Sequence, residues 1–455
     1  MIEKALLKNA KKNPNKIAVI CDQRKISFKD LIKGIYSYSN YLRSFKKNKI
    51  LLSHKNSIEW VIYYFAIRFS GHIPVLVSNY LPPKKIDFIL NENKIRYLIC
   101  DKKIKYKNIK QLKKFHELKK LEPKKKNNLK TKGYEIIYTS GTTGSPKGVV
   151  LSLKKSLIVA KMINKIVKLK SKDLELISLP LNHSDGLGRL KCFAANGHTI
   201  ILNENPNNFG NFFDLLQQHK INGFFMVPSG IEILKKMSFL NFSSLRKHIR
   251  FIELGSEKIN TKTLNWLRKK FNRAVIYYHY GLTEASRCAF KIIKYGKQIP
   301  KTFQASPSVD INILNNKNKV CKKNQIGEII IKGKIVADGY VKNSSNTKFT
   351  KNGYKTGDLA KMISKNNFIL LGRKDQVKKI NGLSVNLKEV ENEINRYPNI
   401  KSNSCKFIIR SFSNTYEIKT RYNSKRKIDE KKIQKFLKNR LEYFKIPKVF
   451  VHSRS

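Results

Sequence analysis

The sequence is poor in acidic residues, cysteine pairs and long apolar runs, and each shortage excludes a class of protein. Its six cysteines include no CxxC pair, so we expect reduced thiols rather than a disulfide or zinc framework. No apolar run approaches the roughly 18 to 20 residues of a membrane-spanning helix. The N-terminus has no apolar core before a cleavage site, so no secretory signal is expected. These shortages predict a soluble, cytoplasmic protein with no transmembrane segment, which leaves peripheral membrane contact open.

The scarcity of acidic residues gives the chain a large positive charge. It contains 94 Lys and Arg against 31 Asp and Glu, a formal net charge of +63. Such a charge suits a polyanionic partner, such as nucleic acid or an anionic membrane surface. Compositional drift also explains it, because Lys, Asn and Ile are abundant while Arg is scarce, as an AT-rich coding sequence would produce. We favour drift, since Lys-rich solvated surfaces are common, and expect no nucleic-acid partner.

Strand-like apolar runs alternate with amphipathic helical stretches along most of the 455 residues, which predicts an α/β fold. Residues 327–371 contain several strand-like runs between polar turns and form a β-rich section. We therefore predict a large α/β domain of several subdomains over residues 1–371 and a small, mobile α+β domain over 372–455. The basic stretch 102–132 is expected to be an exposed helix and linker, with a nucleic-acid tether as the alternative.

The most informative segment is the loop 138–149, YTSGTTGSPKGV, which follows a predicted strand. Its glycines allow backbone N–H groups to turn toward an anion, and its Ser and Thr hydroxyls add further donors. Lys147 supplies a movable positive charge. The loop suits a triphosphate, although Gly148 stands where a Walker A loop has Ser or Thr. The alternative is an ordinary turn rich in Ser, Thr and Gly.

This loop resembles the phosphate-binding signature of the adenylate-forming superfamily, which includes acyl-CoA synthetases, peptide synthetase adenylation domains and luciferases. Further segments similar to the family's motifs follow in its order: PLNHSDG at 180–186, ELGSEKI at 253–259, YGLTE at 280–284, GEIIIKG at 327–333, YKTGDLA at 354–360 and GRKDQVKKINGLSVNLKEVE at 372–391. The chain is most similar to an acyl-CoA synthetase. The resemblance implies activation of a carboxylate by ATP through an acyl-AMP intermediate, then thioester formation with CoA.

The resemblance also implies which residues bind ATP. They are Thr139, Ser140, Gly141, Thr142, Thr143, Gly144, Lys147, Gly255, Ser256, Glu257, Tyr280, Asp358 and Arg373. In this assignment Lys147 and the loop hold the β- and γ-phosphates, while Tyr280 stacks on adenine opposite residues 255–257. Asp358 accepts hydrogen bonds from both ribose hydroxyls, and Arg373 reaches the same ribose.

Catalytic roles are implied for Lys147, His183, Thr283, Glu284 and Lys379. Thr283 would donate to the α-phosphate, and Glu284 would hold Mg²⁺, a hard cation that prefers carboxylate oxygen. Lys379 would bring a charge near the acyl-adenylate. As an isolated string, however, YGLTE could also be a helix start with Thr as its cap.

The same resemblance places the acyl and thiol pocket. His183, His279 and Gly382 would line it, and Asp375 would be the hinge about which the small domain swings. The implied cofactors are ATP, Mg²⁺ and CoA or a carrier-protein phosphopantetheine, and the implied partner is a small carboxylic acid. His279 is bulky and would shorten the pocket or make it more polar. Arg287 would either meet a second anionic group of the substrate or be a surface residue. From these two residues we expect a substrate other than a plain long fatty acid.

Several alternatives stay open at this point. The family's Gly-Lys pair beyond a proline similar to Pro447 is missing, so the small domain is expected to be truncated, to use another lysine, or to serve mainly thioester formation. An adenylation enzyme that loads an acyl or aminoacyl group onto a carrier protein is the first alternative, although the Phe-Asp-x-Ser motif is absent. A catalytically weakened binder of nucleotide or acyl-adenylate is the second. The identity of the acid and the oligomeric state are undetermined.

Overall fold

The computed structural model describes residues 1–101, 106, 108–118, 133–139, 146–205, 208–237, 242, 245–342, 347–374, 377–380, 383–409, 416–424 and 426–453; at 377, 379, 384 and 388 it describes the backbone only. Its helices are α1 (Ile2–Lys12), α2 (Phe28–Arg43), α3 (Ile58–Phe69), α4 (Pro83–Glu92), α5 (Leu153–Val167), α6 (Ser184–Asn196), α7 (Phe209–Gln218), α8 (Pro228–Lys236), α9 (Thr261–Lys270), α10 (Leu387–Ile394) and α11 (Glu430–Lys438). Short 3-10 turns cover Phe115–Glu117, Leu245–Lys247 and Tyr443–Lys445.

The strands begin with a set that alternates with the helices. These are β1 (Ile17–Cys21), β2 (Arg24–Ser27), β3 (Lys49–Ser53), β4 (Ile73–Leu76), β5 (Tyr97–Cys100), β6 (Lys110–Gln111), β7 (Tyr134–Thr139), β8 (Lys147–Ser152), β9 (Leu174–Ile177), β10 (Thr199–Leu202), β11 (Gly223–Met226), β12 (Phe251–Leu254) and β13 (Val275–Leu282). A run of β-structure follows: β14 (Ala285–Ile293), β15 (Phe303–Ala305), β16 (Val309–Leu314), β17 (Ile326–Gly333), β18 (Gly339–Tyr340), β19 (Phe349–Thr350), β20 (Gly353–Ser364) and β21 (Asn367–Arg373). The last strands are β22 (Val377–Ile380), β23 (Leu383–Asn386), β24 (Ser402–Ile409), β25 (Tyr416–Asn423) and β26 (Val449–Ser453).

Two large sheets form the main body of the molecule. The larger has the order β16-β17-β20-β21-β15-β14-β13-β12-β11-β9-β10-β1-β2, with β19 beside β20, and the smaller has the order β18-β8-β7-β4-β3-β5-β6. Strands β9, β11, β12 and β13 are parallel neighbours, so their carboxyl ends meet at one edge of the larger sheet. Ligands of open α/β sheets bind at this edge, and the candidate site described below lies there.

Helix α3 contains the most hydrophobic stretch of the sequence and is buried along its length. The Ser57 side chain caps it by accepting a hydrogen bond from the Trp60 backbone N–H at 3.0 Å. Its one basic residue, Arg68, is buried too, and its guanidinium donates to Glu3 at 2.6 Å and to Glu135 at 2.8 Å. The charge is therefore compensated inside the protein. Within the described residues, no helix combines the length and apolar character needed to cross a membrane.

The C-terminal residues have an apolar core of their own. It is built from residues between Ile380 and Phe450 and includes Val390, Ile418 and Leu437. Strand β21 runs through the predicted boundary at residue 372, because it pairs with β20 as far as Arg373. The separate core supports a small second domain, and the division remains a prediction.

A buried ionic cluster joins this C-terminal unit to the large sheets. The Lys85 ammonium of α4 lies 2.8 Å from Glu389 of α10 and 2.8 Å from Glu442, and Lys445 lies 2.7 Å from Glu389. Burial alone would lower the pKa of Lys85, but Glu442 and Glu389 raise it above its ordinary value. Two lysines and two carboxylates therefore compensate one another across the contact.

The basic stretch 102–132 is described only in part. Its described residues form β6 and the 3-10 turn Phe115–Glu117, so the prediction of an exposed helix is wrong for that part. The Glu117 side chain accepts a hydrogen bond from the Lys114 backbone N–H at 2.7 Å, which holds the tight turn. Residues 119–132 lie outside the described residues.

Candidate active site

A cavity of about 1120 Å³ opens at the carboxyl edge of the parallel strands. Most of the predicted site residues that the structure describes line it. They are Thr139, Lys147, His183, Ser256, Glu257, His279, Tyr280, Thr283, Glu284, Asp358 and Arg373. Of the other predicted residues, Ser140, Gly141, Thr142, Thr143, Gly144, Asp375 and Gly382 lie outside the described residues, and Lys379 is placed in β22 by its backbone alone. Gly255 is described and follows β12, but it is not among the residues that line the cavity.

The phosphate-loop segment joins two antiparallel strands. Thr139 ends β7 and pairs with Lys147 at the start of β8, so the loop leaves and re-enters the sheet at one point. The Lys147 ammonium lies 5.7 Å from the centre of the Tyr340 ring. Burial and the nearby Lys348 lower the pKa of Lys147, while Glu284 opposes them. This lysine therefore lines the cavity near a carboxylate.

The segment YGLTE forms the tip of a β-hairpin and not a helix start. Tyr280 belongs to β13, and Thr283 and Glu284 form the turn into β14. The Thr283 hydroxyl donates to the Ser184 hydroxyl at 3.1 Å, and the Tyr340 hydroxyl donates to a Glu284 carboxylate oxygen at 2.6 Å. The hairpin thus carries a hydroxyl and a carboxylate into the cavity on adjacent residues.

Tyr280, Asp358 and Arg373 form a connected group that also lines the cavity. The Tyr280 hydroxyl donates to one Asp358 oxygen at 2.6 Å, and the Arg373 guanidinium lies 3.2 Å from the other. Arg373 also donates to the Thr356 carbonyl at 3.0 Å, and the β20–β21 register places it directly opposite Asp358. Burial and Asp358 raise the pKa of Tyr280, so its hydroxyl stays a donor.

His279 is packed beneath the segment that follows β12. Its ring stacks on Phe225 with 5.5 Å between centroids, and its Nδ1 lies 2.9 Å from a Glu253 oxygen. A Cβ on Gly255 would come within 2.1 Å of this ring, so only glycine allows such a close approach. His183 is more exposed; it precedes α6, and its Nδ1 lies 3.9 Å from Asp185.

A buried network of charged residues includes Glu253, the carboxylate that lies beside His279. The Arg189 guanidinium donates to Glu175 at 2.8 Å and to Glu253 at 2.9 Å, and His198 lies 2.9 Å from Glu175. Arg287 donates to Glu253 at 2.7 Å. All five side chains are fully buried.

The expectation for Arg287 is therefore wrong in both its forms. Its side chain is 0% exposed, so it is neither a surface residue nor available to a substrate anion. A Cβ on Gly188 would come within 2.6 Å of its guanidinium, which passes over that glycine to reach Asp185 and Glu253. Sequence reasoning missed Glu175 and Arg189 entirely. The signal that could have found Glu175 is a lone carboxylate in an apolar strand, as in LELI, and the same signal marks Glu253 in FIEL.

The C-terminal unit closes one side of the cavity. Its lining residues are Lys378, Leu383, Leu387, Cys405, Lys406, Phe407, Ile409, Tyr416, Glu442, Tyr443 and Phe444. The Lys378 ammonium lies 4.2 Å from the centre of the Tyr416 ring, a cation–π contact. Tyr443 packs against Tyr80 of the large unit with 5.5 Å between ring centroids. This part of the cavity is mainly apolar and aromatic.

Comparison with known proteins identifies similar chains. The profile of the family described as AMP-binding enzyme matches residues 6–341. Bacitracin synthase 1 of Bacillus licheniformis is 29% identical over 331 residues, 70% of this chain and 6% of that protein. The D-alanine–D-alanyl carrier protein ligase of Lacticaseibacillus casei (strain BL23) is 28% identical over 285 residues, 60% of this chain and 56% of that protein. The chain thus spans little more than half of one curated relative and a small part of the other.

A solved structure has the same fold along the whole chain. The o-succinylbenzoate CoA synthetase of Bacillus subtilis, a double mutant bound with its product analogue, superposes with a TM-score of 0.87 at 22% identity over 99% of this chain and 94% of that one. Another structure of that protein, in complex with ATP and magnesium ion, gives a TM-score of 0.75. This likeness confirms the predicted fold, a mixed α/β architecture with a small C-terminal sheet.

Proposed function

This chain belongs to the AMP-binding enzyme family of adenylate-forming ligases, and from that premise we propose that it is an AMP-forming acid–thiol ligase. In the first step the carboxylate oxygen of the substrate attacks the α-phosphorus of ATP, and pyrophosphate leaves. In the second step a thiol attacks the carbonyl carbon of the acyl-AMP, loses its proton, and AMP leaves. The supporting observation is one continuous cavity whose wall includes the phosphate-loop lysine, the Tyr280–Asp358–Arg373 group and the apolar face of the C-terminal unit.

We assign the ATP side of this cavity to residues that can hold each part of the nucleotide. Lys147 and Thr283 supply a cation and a hydroxyl donor for the phosphates, which carry the charge that develops as pyrophosphate leaves. Asp358, already fixed by Tyr280 and Arg373, supplies the acceptor for the ribose. Ser256 and Glu257 follow β12 and line the same cavity, and we assign them as a wall for adenine.

Glu284 is the residue of this set whose chemistry fits Mg²⁺. Glu284 follows Thr283 in the hairpin turn, and its carboxylate lines the cavity and accepts from Tyr340, so it offers hard oxygen ligands there. The described residues contain no group of three or more His, Cys, Asp or Glu that could form a metal cage. This suits Mg²⁺, which proteins usually bind through one or two carboxylates together with substrate phosphates. When bound, the ion neutralises charge on the phosphates.

The apolar face of the C-terminal unit is the proposed approach for the thiol. Leu383, Phe407 and Tyr416 line it, which suits the uncharged arm that CoA and a carrier-protein phosphopantetheine have in common. Both acceptors deliver the same thiol, so the cavity is compatible with either. We propose CoA as the acceptor. Carrier-protein loading is the second candidate, and the similarity to a D-alanyl carrier protein ligase favours it.

A screen of carboxylic acids tests this function. Purified protein is incubated with ATP, Mg²⁺ and short, branched, aromatic, hydroxylated or amino-substituted acids, each with and without CoA or a phosphopantetheinylated carrier protein. We expect acid-dependent pyrophosphate release and, with CoA, an acyl-CoA thioester seen by mass spectrometry. A thioester on the carrier protein alone would favour the second candidate. ATP binding without pyrophosphate release for any acid would contradict both and indicate a nucleotide binder.

The ribose assignment gives a prediction of its own. Asp358→Asn is expected to raise the KM for ATP about 10- to 100-fold, because a hydrogen bond to a charged group contributes about 1.5–3 kcal/mol. It should also weaken the discrimination between ATP and 2′-deoxy-ATP, which differ by one ribose hydroxyl, because Asn keeps only a neutral acceptor oxygen. Steady-state kinetics with both nucleotides measures this.

The control for this prediction is Tyr280→Phe. It removes the hydrogen bond to Asp358 and keeps both the aromatic ring and the carboxylate. This variant should still prefer ATP over 2′-deoxy-ATP. If the wild-type protein uses the two nucleotides equally well, Asp358 does not hold the 2′-hydroxyl.

A further inference from the structure

The apolar part of the cavity contains buried polar groups that a hydrocarbon chain could not satisfy. Its wall includes Phe212, Phe225 and Ile233, yet Ser178 and Ser229 stand among them, each 7% exposed. The hydroxyl oxygens of both serines have no hydrogen-bond partner among the described residues. Buried hydroxyls are nearly always hydrogen-bonded. Two such groups on one cavity wall therefore indicate that the ligand brings polar atoms to them.

Asp185 is a charged residue that lines the same cavity as these serines. It lies in the first turn of α6, its side chain is 11% exposed, and it lines the cavity beside His279, whose ring stacks on Phe225. One carboxylate oxygen accepts a hydrogen bond from the Ser256 hydroxyl. Asp185 thus borders both the adenine wall and the apolar wall, where an acyl group joined to AMP must pass.

Among the described residues, the other carboxylate oxygen of Asp185 has only distant partners. It lies 3.4 Å from the Arg287 guanidinium and 3.8 Å from His279 Nε2. Charge-assisted hydrogen bonds between nitrogen and oxygen are about 2.7–2.9 Å long, so neither contact is one. Arg287 instead makes its short bond, 2.7 Å, to Glu253. The oxygen therefore keeps the capacity to accept a strong hydrogen bond.

The group is ionised in the folded protein. Burial alone would raise the pKa of Asp185, but Arg287 and His279 lower it to about 2. A carboxylate accepts hydrogen bonds and donates none. Its ligand must therefore carry an N–H or O–H.

We propose that Asp185 is a specificity-determining residue that accepts a hydrogen bond from a donor on the acyl chain, so that the substrate is a hydroxy- or amino-substituted carboxylic acid. The inference rests on the proposed function and specifies the substrate class of its site. A site built around a polar group rejects an analogue that lacks it, because the buried acceptor is then left unpaired. The hydroxyls of Ser178 and Ser229 add donors and acceptors on the same wall.

The test compares matched acids that differ only in the donor. Butanoate, 4-hydroxybutanoate and 4-aminobutanoate form one set, and the 2- and 3-substituted acids and the corresponding hexanoates form others. Acid-dependent pyrophosphate release gives kcat/KM for each. We expect the wild-type protein to prefer a donor-bearing acid over its parent by about 30-fold or more in at least one set, since a missing buried hydrogen bond costs at least that much.

Two variants then assign the preference to Asp185. Asp185→Leu should reduce the ratio of kcat/KM for the donor-bearing acid to kcat/KM for its parent to about one or below, because it replaces the acceptor with an apolar group. Asp185→Asn keeps the shape and one acceptor oxygen, so it should reduce the ratio at least about tenfold for an amino acid and less for a hydroxy acid. Because Asn has nearly the same shape as Asp, this variant still tests the proposal if the Leu variant misfolds. The matched control is Asp173→Asn, a buried carboxylate that pairs with Arg250 and does not line the cavity.

Each outcome decides the question. A wild-type protein that prefers the unsubstituted parent in every set overturns the inference, and so does a preference that both Asp185 variants retain. A preference for amino acids that Asp185→Asn removes would identify an ammonium as the donor. A preference for hydroxy acids that survives in Asp185→Asn and is lost in Asp185→Leu would identify a hydroxyl. Absence of pyrophosphate release with every acid overturns the proposed function itself, and the inference with it.

Discussion

Replacing Glu284 with Gln is expected to lower the rate of acyl-adenylate formation by about 10²- to 10³-fold. Gln has nearly the same shape and keeps an oxygen that accepts from the Tyr340 hydroxyl, now 2.6 Å away, so the hairpin tip should fold as before. What the variant loses is the negative charge that attracts a divalent cation beside the phosphates. Removing an interaction with charge that develops in the transition state affects kcat more than substrate binding.

The measurement is pyrophosphate release over a Mg²⁺ titration. The variant should require at least about tenfold more Mg²⁺ for half-maximal rate, since even the loss of an outer partner of a metal ligand costs about 10- to 100-fold in metal affinity. The control is Glu59→Gln, the same substitution at a carboxylate that pairs with Arg24 and does not line the cavity. A Glu284→Gln protein with unchanged Mg²⁺ dependence would show that another group holds the ion.

The site motifs could be predicted from the sequence because each is a local pattern. Thr283, Glu284 and Tyr280 lie within one five-residue segment, and the fold carries that segment to the cavity as a hairpin tip. Asp358 and Arg373 come from different segments, and their pairing follows from the register of β20 and β21. The family resemblance assigned both residues to the ribose but did not predict their contact, since neither residue carries a local signal for the other.

The ionic partners of the core could not be predicted in this way. Arg287 follows the YGLTE segment closely in sequence, yet its partners Glu253 and Asp185 lie on β12 and α6. Which charged residues come into contact depends on strand order and helix packing, and the local patterns of a single sequence predict neither. The same holds for Lys85 and its contact with Glu389, which connects parts of the molecule that have separate apolar cores. Although the chain has few acidic residues, several of them are buried and paired with basic side chains.

Removing one partner of such a buried ion pair is expected to destabilise the protein strongly. Arg189→Met is expected to lower the free energy of unfolding by about 3–5 kcal/mol, because removing one partner of a buried ion pair leaves an uncompensated buried charge. Met fills much of the volume, so the loss comes from Glu175 and Glu253, whose carboxylates now receive hydrogen bonds of 2.8 and 2.9 Å from Arg189. Urea unfolding followed by tryptophan fluorescence measures it. Both tryptophans, Trp60 and Trp266, belong to the large core.

An exposed pair provides the matched control. The Arg24 side chain is 58% exposed, and its guanidinium contacts Glu59 through two hydrogen bonds. Arg24→Met removes the same kind of bidentate contact in solvent, so it should cost less than about 1 kcal/mol. A comparable loss in both variants would mean that burial is not what makes the Arg189 pair strong.

The pH dependence of the Arg189→Met deficit separates charge from packing. In the wild-type protein burial would raise the pKa of Glu175 and Glu253, but the guanidinium groups hold both below their usual range. These carboxylates therefore stabilise the fold at neutral pH and lose that contribution only as the pH falls below about 4, the ordinary range of a glutamate. Without Arg189 the pKa of Glu175 rises, so the folded variant binds a proton that the unfolded chain does not. Lowering the pH from about 7 to about 5 then favours the folded variant, so the difference in free energy of unfolding between the wild-type protein and the variant should become smaller. A difference that stays constant over this pH range would show that the loss of stability comes from packing and not from charge.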